Sequence, residues 1–188
     1  MLSLRPILRI GARLASVRRK LLLEAPTAPE GNARSDATFR YGDAVDLYTL
    51  AAPEYQYDES ARRFGHERLE AGDRLVVGEI RGRIVYYAWV MYGQMDMGMR
   101  EYKPLRRDQA YTYKLFTVAD CRGRGICPAY YEWLKRELRG AGYRSVLAWV
   151  EAGNRASLHV HDRAGFRQAG TIWHARLFFR SYPVLRAA

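Results

Sequence analysis

The run Leu115-Phe116-Thr117-Val118-Ala119-Asp120-Cys121-Arg122-Gly123-Arg124-Gly125-Ile126-Cys127 joins a β-prone apolar stretch to a Gly-x-Gly turn and then to helical spacing. A strand that passes through such a turn into a helix leaves backbone N–H groups unpaired at the helix mouth, where the aligned peptide dipoles add partial positive charge. A mouth of this kind holds anions, and the usual ones are phosphate and pyrophosphate. Gly123 and Gly125 let a ligand approach the chain with no Cβ in between. Arg122 and Arg124 add charge-assisted bonds. The pattern is not a P-loop, because GxxxxGK[ST] is absent. It is not the dinucleotide fingerprint either, because GxGxxG needs glycine where Pro128 stands. Taken alone, the turn also fits an ordinary strand-to-helix connection.

Other reactive side chains are few. Asn154, Ser157 and His161 stand three and four residues apart, so on a helix they share one face. Imidazole exchanges a proton near neutral pH, which makes His161 a candidate acid or donor, with plain packing as the alternative. His159 points off that face, and His174 falls on a late strand where a structural role is expected. Glu79, before the Gly82 turn, and Glu151, at a strand end, are candidate proton relays, although a carboxylate in such a place is more often surface charge. A thiol at a helix start has a lowered pKa, yet beneath an anion Cys127 reads better as a small packing residue. Cys121 has no partner at a metal spacing. Two cysteines build neither a disulfide framework nor a four-ligand zinc site, and no metal is expected.

The elements that must hold these groups follow from periodicity. Residues 43–50 and 60–70 read as helices, 74–80 as a strand, and Arg81-Gly82-Arg83 as a tight turn. The returning strand, 84–92, is apolar on both faces and is therefore central and covered on both sides. Residues 93–109 read as a long polar loop suited to a lid, holding Met95, Met97 and Met99. Strands at 111–118 and 145–150 alternate with helices at 125–138 and 155–163. A pair of short strands runs from 166 to about 179. This is an α/β layout with a mixed sheet.

The 188 residues carry a net charge of +11, and 48% of them are apolar, which suits one globular domain with an appendage. The longest apolar run, 84–92, is half of a membrane span. The first 23 residues hold +6 of the charge, leaving the rest only mildly basic at +5. Arginine supplies 27 of the 31 basic side chains and lysine four, Lys20, Lys103, Lys114 and Lys135. Residues 2–23 read as a basic amphipathic helix, with Ile7, Ile10, Leu14, Val17 and Leu21 on one stripe. Such a helix can lie on an anionic membrane, serve as a cleaved targeting segment, or pack on its own domain or a second subunit; the last is favoured. Residues 24–38 (EAPTAPEGNARSDAT) read as a linker, and the folded body, 39–188, is expected to begin near Phe39.

Two stretches together resemble the GCN5-related N-acetyltransferase (GNAT) superfamily. Its acyl-CoA loop reads Arg/Gln-x-x-Gly-x-Gly/Ala between strand and helix. Arg122 and Gly125 match, while Cys127 replaces the last small residue. A second motif, a strand followed by Asn and a helix ending in Gly-Phe, is matched by 146–150, Asn154, Ser157 and Gly165-Phe166 at the family's spacing. The resemblance implies a mixed, mostly antiparallel central sheet with helices on both faces, splayed between its fourth and fifth strands. It implies an N-acyltransferase moving an acetyl or other short acyl group from acetyl-CoA to an amine of a small molecule or amino sugar by direct attack.

On that resemblance the pyrophosphate would rest on the amides of Arg122, Gly123, Arg124, Gly125, Ile126 and Cys127, and the pantetheine arm on Leu115, Phe116 and Thr117. Asn154, with Ser157, would hold the loop or the arm. The family's frequent acid, a tyrosine seven residues after the Asn, is replaced by His161. A cytoplasmic enzyme is implied, at the inner membrane surface if 2–23 makes a peripheral contact, and a homodimer is compatible with it. The alternative is a CoA-binding or degenerate acyltransferase fold with a regulatory, nucleic-acid or membrane-surface role. The modest charge of the body and the lack of an RNA-binding signature weigh against nucleic acid.

Overall fold

The computed structural model describes residues 15–28, 31, 33–98, 101–177 and 180–187. The elements run β1 (Ala15–Pro26), β2 (Thr38–Tyr41), α1 (Ala44–Thr49), α2 (Glu59–Glu70), β3 (Arg74–Ile80), β4 (Arg83–Tyr92), β5 (Gln94–Gly98), β6 (Glu101–Pro104), β7 (Gln109–Thr117), α3 (Ile126–Gly140), β8 (Ser145–Glu151), α4 (Arg155–Arg163), β9 (Arg167–Leu177) and β10 (Arg180–Ala187). Eight strands form one sheet in the order β10-β9-β1-β8-β7-β4-β3-β2, and β5 and β6 form a separate hairpin. Every neighbouring pair is antiparallel except β7 with β8. The mixed, mostly antiparallel sheet is as expected.

Both faces are covered because β4, in the middle, is apolar on both. Tyr86 packs on Tyr130 of α3, at a ring distance of 4.9 Å. Tyr87, one residue on, meets Tyr57 from the α1–α2 side at 5.3 Å. Helices α3 and α4 are locked together by Lys135, a wholly buried lysine whose Nζ donates to the Ala164 carbonyl at the end of α4. That position suits a cation, since a helix C-terminus is electronegative. On the other face, α1 begins with a capping box. The Asp43 carboxylate accepts from the amides of Val45 and Asp46, and that of Asp46 accepts from the amide of Asp43.

Three sequence expectations need correction. Residues 15–23 are not helical. They are the first nine of β1, an interior strand paired to β8 on one side and β9 on the other. The helical stripe ran into the triplet Leu21-Leu22-Leu23, which buries both sides of a strand; Leu22 and Leu23 are each 6% exposed. Pairing to β9 from Ala15 and to β8 from Lys20 then gives the backbone strand partners, which outweighs a helical pattern. The membrane-surface helix is therefore excluded over 15–23; residues 2–14 lie outside the described residues. The linker is correspondingly shorter, as 24–26 belong to β1 and Thr38 opens β2, and a body beginning at 39 would leave out a sheet strand. The supposed loop at 93–109 contains the β5–β6 hairpin, in which Met95 and Met97 are buried with the strand period of two. Among the described residues, no helix is long and apolar enough to cross a membrane.

Because β1 is interior, Leu23→Ala should cost about 2–5 kcal/mol in urea unfolding. A chain starting at Phe39 should lose its cooperative transition altogether. A truncated chain that melts like the parent would contradict the placement of β1.

Candidate active site

The sheet opens where β7 leaves β8. The two strands pair only over Gln109–Tyr111 against Ser145–Leu147. Beyond that point β7 is bulged: Tyr87 of β4 faces Phe116, Trp89 faces Tyr113, and the intervening pair of β7 residues stands opposite Ala88 alone. Lys114 takes the left-handed conformation there, with φ 52°. The Val118 amide donates to Val85 of β4. Strand alternation therefore turns the backbone groups of Leu115 and Thr117 toward the seam, where no strand meets them.

Past β7, the chain turns at Gly123 (φ 78°) and Gly125 (φ 73°) into α3. The left-handed Gly125 is the N-cap, and no side chain caps the helix. A Cβ on Gly125 would come within 2.9 Å of the Arg34 carbonyl, whereas one on Gly123 would meet nothing within 4 Å. Pro128 lies in the first turn, where its missing N–H costs no helix bond. The turn is thus open at Gly123 and packed against the Arg34 carbonyl at Gly125.

A cavity of about 950 Å³ runs through this seam. Its lining joins the helix mouth and α4 on one face to Asp96, Tyr111, Lys114, Trp149 and Glu151 on the other. Of the residues expected to hold acyl-CoA, Leu115, Phe116, Thr117, Arg122, Gly123, Gly125, Ile126, Cys127, Asn154 and Ser157 all line it. The Arg122 guanidinium donates to the Thr117 carbonyl at 3.2 Å and lies over the Phe116 ring. Asn154 caps α4, its side chain accepting from the Ser157 amide at 3.1 Å. Arg124 is the exception among these residues. It is outside the lining and pairs with Asp36 at 2.5 Å.

The catalytic candidates separate. Glu151 lines the cavity. Glu79 does not; it sits at the far side of the sheet, bound by Arg40, which also grips Asp46. Its position before the Gly82 turn suggested a strand end facing the seam, but β3 is separated from the seam by β4 and β7. His161 lines the cavity but has both ring nitrogens engaged. Nδ1 lies 2.7 Å from the Ser157 carbonyl, which can only accept, so Nδ1 carries the proton. Nε2 then accepts from the Tyr131 hydroxyl at 2.6 Å. Burial pulls this imidazole below its ordinary pKa, against the opposing Ser157 bond. With Nδ1 turned to the Ser157 carbonyl and Nε2 to the Tyr131 hydroxyl, His161 links α3 to α4, which is the packing alternative for this side chain.

Cys127 packs against the core, as read from its place in the sequence. The lowered pKa expected of a thiol at a helix start is overturned, because burial pushes it up to about 12. Among the described residues, no group of three or more His, Cys, Asp or Glu side chains could hold a metal ion.

The sequence reading missed the wall opposite the helices. Asp96 arrives on the hairpin, whose backbone carbonyl at that residue accepts from the Trp149 indole at 3.1 Å. Lys20, opposite Glu151 on β1, sits 3.4 Å from the centroid of the Trp149 ring. Burial lowers the Lys20 pKa, while Glu151 and Asp96 oppose that shift. The alternation of Trp149 with Glu151 on one strand was the available signal, since both must face the same way.

Comparison with known proteins agrees with this geometry. The profile of the Acetyltransferase (GNAT) family matches residues 35–166. A protein of Pseudomonas paraeruginosa named L-methionine sulfoximine/L-methionine sulfone acetyltransferase is 28% identical over 141 residues, 70% of this chain and 73% of its own length. Among solved structures, a GNAT-family acetyltransferase from Colwellia psychrerythraea superposes with a TM-score of 0.63 at 15% identity, over 92% of this chain and 61% of that one. A predicted acetyltransferase from Clostridium acetobutylicum, solved with acetyl-CoA, gives 0.52 at 16% identity, over 70% and 90% of the two chains.

The His161 environment makes a pH prediction. An unfolded imidazole binds its proton more tightly than this folded one, so the contribution is full above about pH 6.5 and is lost as pH falls below it. The urea midpoint should decline through that range, and His161→Gln should flatten the decline. An equally steep fall in the variant would exclude His161 as its source.

Proposed function

The chain belongs to the GNAT acetyltransferase family and is an N-acetyltransferase, and from that premise we propose that it moves an acetyl group from acetyl-CoA to the amine of a small polar molecule. The observation that carries this reading is the cavity passing through the sheet, with an anion-binding helix mouth at one end and carboxylates at the other. The residues present fit the carrier. The amides from Gly123 to Cys127 would hold the diphosphate, with Arg122 adding charge. The seam-facing backbone of Leu115 and Thr117 would pair with the pantetheine arm as a further strand. Asn154 and Ser157 would form the wall beside it.

Bound acetyl-CoA would supply a thioester-activated acetyl group. The chain's own contribution is then to deprotonate and orient the acceptor. A free alkyl ammonium has a pKa of about 10, so it must lose a proton before it can attack. Glu151, at the end of β8 on the carboxylate face, is the base for that proton, directly or through water. The amine attacks directly, because the Cys127 thiol stays protonated and is a poor nucleophile. The acceptor class follows the Pseudomonas relative, whose name gives amino-acid derivatives as substrates. An α-amino acid carrying a polar side chain, methionine sulfone among them, is the first set to assay.

Acetyl-CoA should raise the melting temperature of the purified chain, and Arg122→Glu should reduce the rise by placing a carboxylate beside the diphosphate. No shift at saturating acetyl-CoA would sink the reading. With an amine that turns over, Glu151→Gln should lower kcat/KM by about a hundredfold or more, the range of a lost general base. A variant within threefold of the parent would remove Glu151 from that role.

A further inference from the structure

The bulge in β7 turns one charged side chain to the face it would otherwise have missed. Along a regular strand Lys114 would point the same way as Thr112, whose hydroxyl meets that of Tyr130 on α3. In its left-handed conformation, at φ 52°, it instead lays its Nζ 3.9 Å from the centroid of the Phe64 ring on α2. That is the face of Tyr113, which bonds Asp73 beyond α2, and of Tyr111, Trp149 and Glu151. A non-glycine residue in this region is strained, and strain of this kind persists where the surroundings enforce it, often at a site of function. Glycine meets the same backbone demand without strain, as it does at Gly123 and Gly125 in this chain.

The residue type is equally unusual. Lysine appears four times against 27 arginines, so a lysine at this position is not the chain's ordinary way of supplying positive charge. Its ammonium is a compact point charge on a flexible stem, suited to meeting a single anionic group. On this face the cavity is lined by two carboxylates, Asp96 and Glu151, and by Lys114. Both lysines lie against a ring, Lys20 on Trp149 and Lys114 on Phe64, but only Lys114 is among the lining residues. Asp96 and Asp58 face Lys114 and favour its charged form, against burial.

We propose that Lys114 is the specificity residue of the acceptor site, binding the carboxylate of an amino-acid-like substrate whose amine lies toward Glu151. The inference rests on the acetyltransferase reading above and adds to it which residue recognises the acceptor's anionic group. The pocket then reads a zwitterion. An amine without the acid leaves Lys114 unmatched, and an acid without the amine faces Glu151 and Asp96 with no cation of its own.

The test uses the full chain with acetyl-CoA and a panel of α-amino acids, each paired with its decarboxylated amine. The parent should acetylate amino acids in preference. Lys114→Met should raise KM for the preferred amino acid about tenfold or more, the value of a lost charge-assisted bond, with kcat nearly unchanged and the paired amine unaffected. Lys114→Arg should restore part of the preference. Lys114→Gly should raise the melting temperature by relieving the backbone while keeping the loss of affinity, which separates recognition from folding. Equal losses on both members of a pair, or a parent that prefers the decarboxylated amines, would overturn the proposal. So would a parent that acetylates no amino acid while acetyl-CoA still raises its melting temperature. Absence of that thermal shift would instead mark failure of the underlying function.

Discussion

Inside a sheet every N–H and C=O needs a partner, and the end of β7 has partners on one edge alone. Its pairing with β8 stops at Tyr111 and Leu147. Its other edge stays tied to β4, out to the Val118 amide on Val85. The strand is thus held open from behind. The cost of solvating or leaving unpaired those seam-facing groups is what a strand-like ligand removes when it lies there. The helix mouth at Gly125 and the carboxylates beyond Trp149 are useful because this opening lies between them.

What lets β8 give up half of one edge is β1. Over Ser145–Glu151, β8 is paired without a break to Pro26–Lys20. An N-terminal strand therefore stabilises the seam from the far side. It also carries Lys20 onto Trp149, so the first described part of the chain shapes the acceptor wall. Packing two residues away from the cavity and the chemistry inside it are coupled through a single cross-strand pair, Lys20 with Glu151.

The parts of this arrangement that were legible in the sequence are those written in local pattern. The strand–turn–helix at 115–127 shows itself through Gly123 and Gly125, whose conformations depend on residue type. The Asn154 cap and the central character of β4 are of the same kind. The parts that were not legible depend on distant partners. Residues 15–23 have a helical stripe, and only the presence of β8 and β9 makes them a strand. Glu79 and Glu151 look alike as strand-end carboxylates, and strand order alone separates them. His161 is tied to Tyr131, a residue thirty positions earlier on another helix, and no local pattern shows that pairing. The bulge at Lys114 leaves no trace in periodicity, because its effect is to break the alternation that periodicity measures.

The two ends of the cavity differ in the charged groups they present. Toward the helices, burial holds the Cys127 thiol and the Tyr86 and Tyr131 phenols protonated and pulls the His161 imidazole below its ordinary pKa. There the Arg122 guanidinium and the helix dipole favour an anion, while Arg124 is taken up by Asp36. Toward the hairpin, the cavity is lined by Asp96 and Glu151 together with Lys114, so that end presents charged groups of both signs. Among the described residues Lys114 is the lysine that lines the cavity beside Asp96 and Glu151, at the point where β7 turns away, and a cation so placed would convert a general preference for amines into a choice among them.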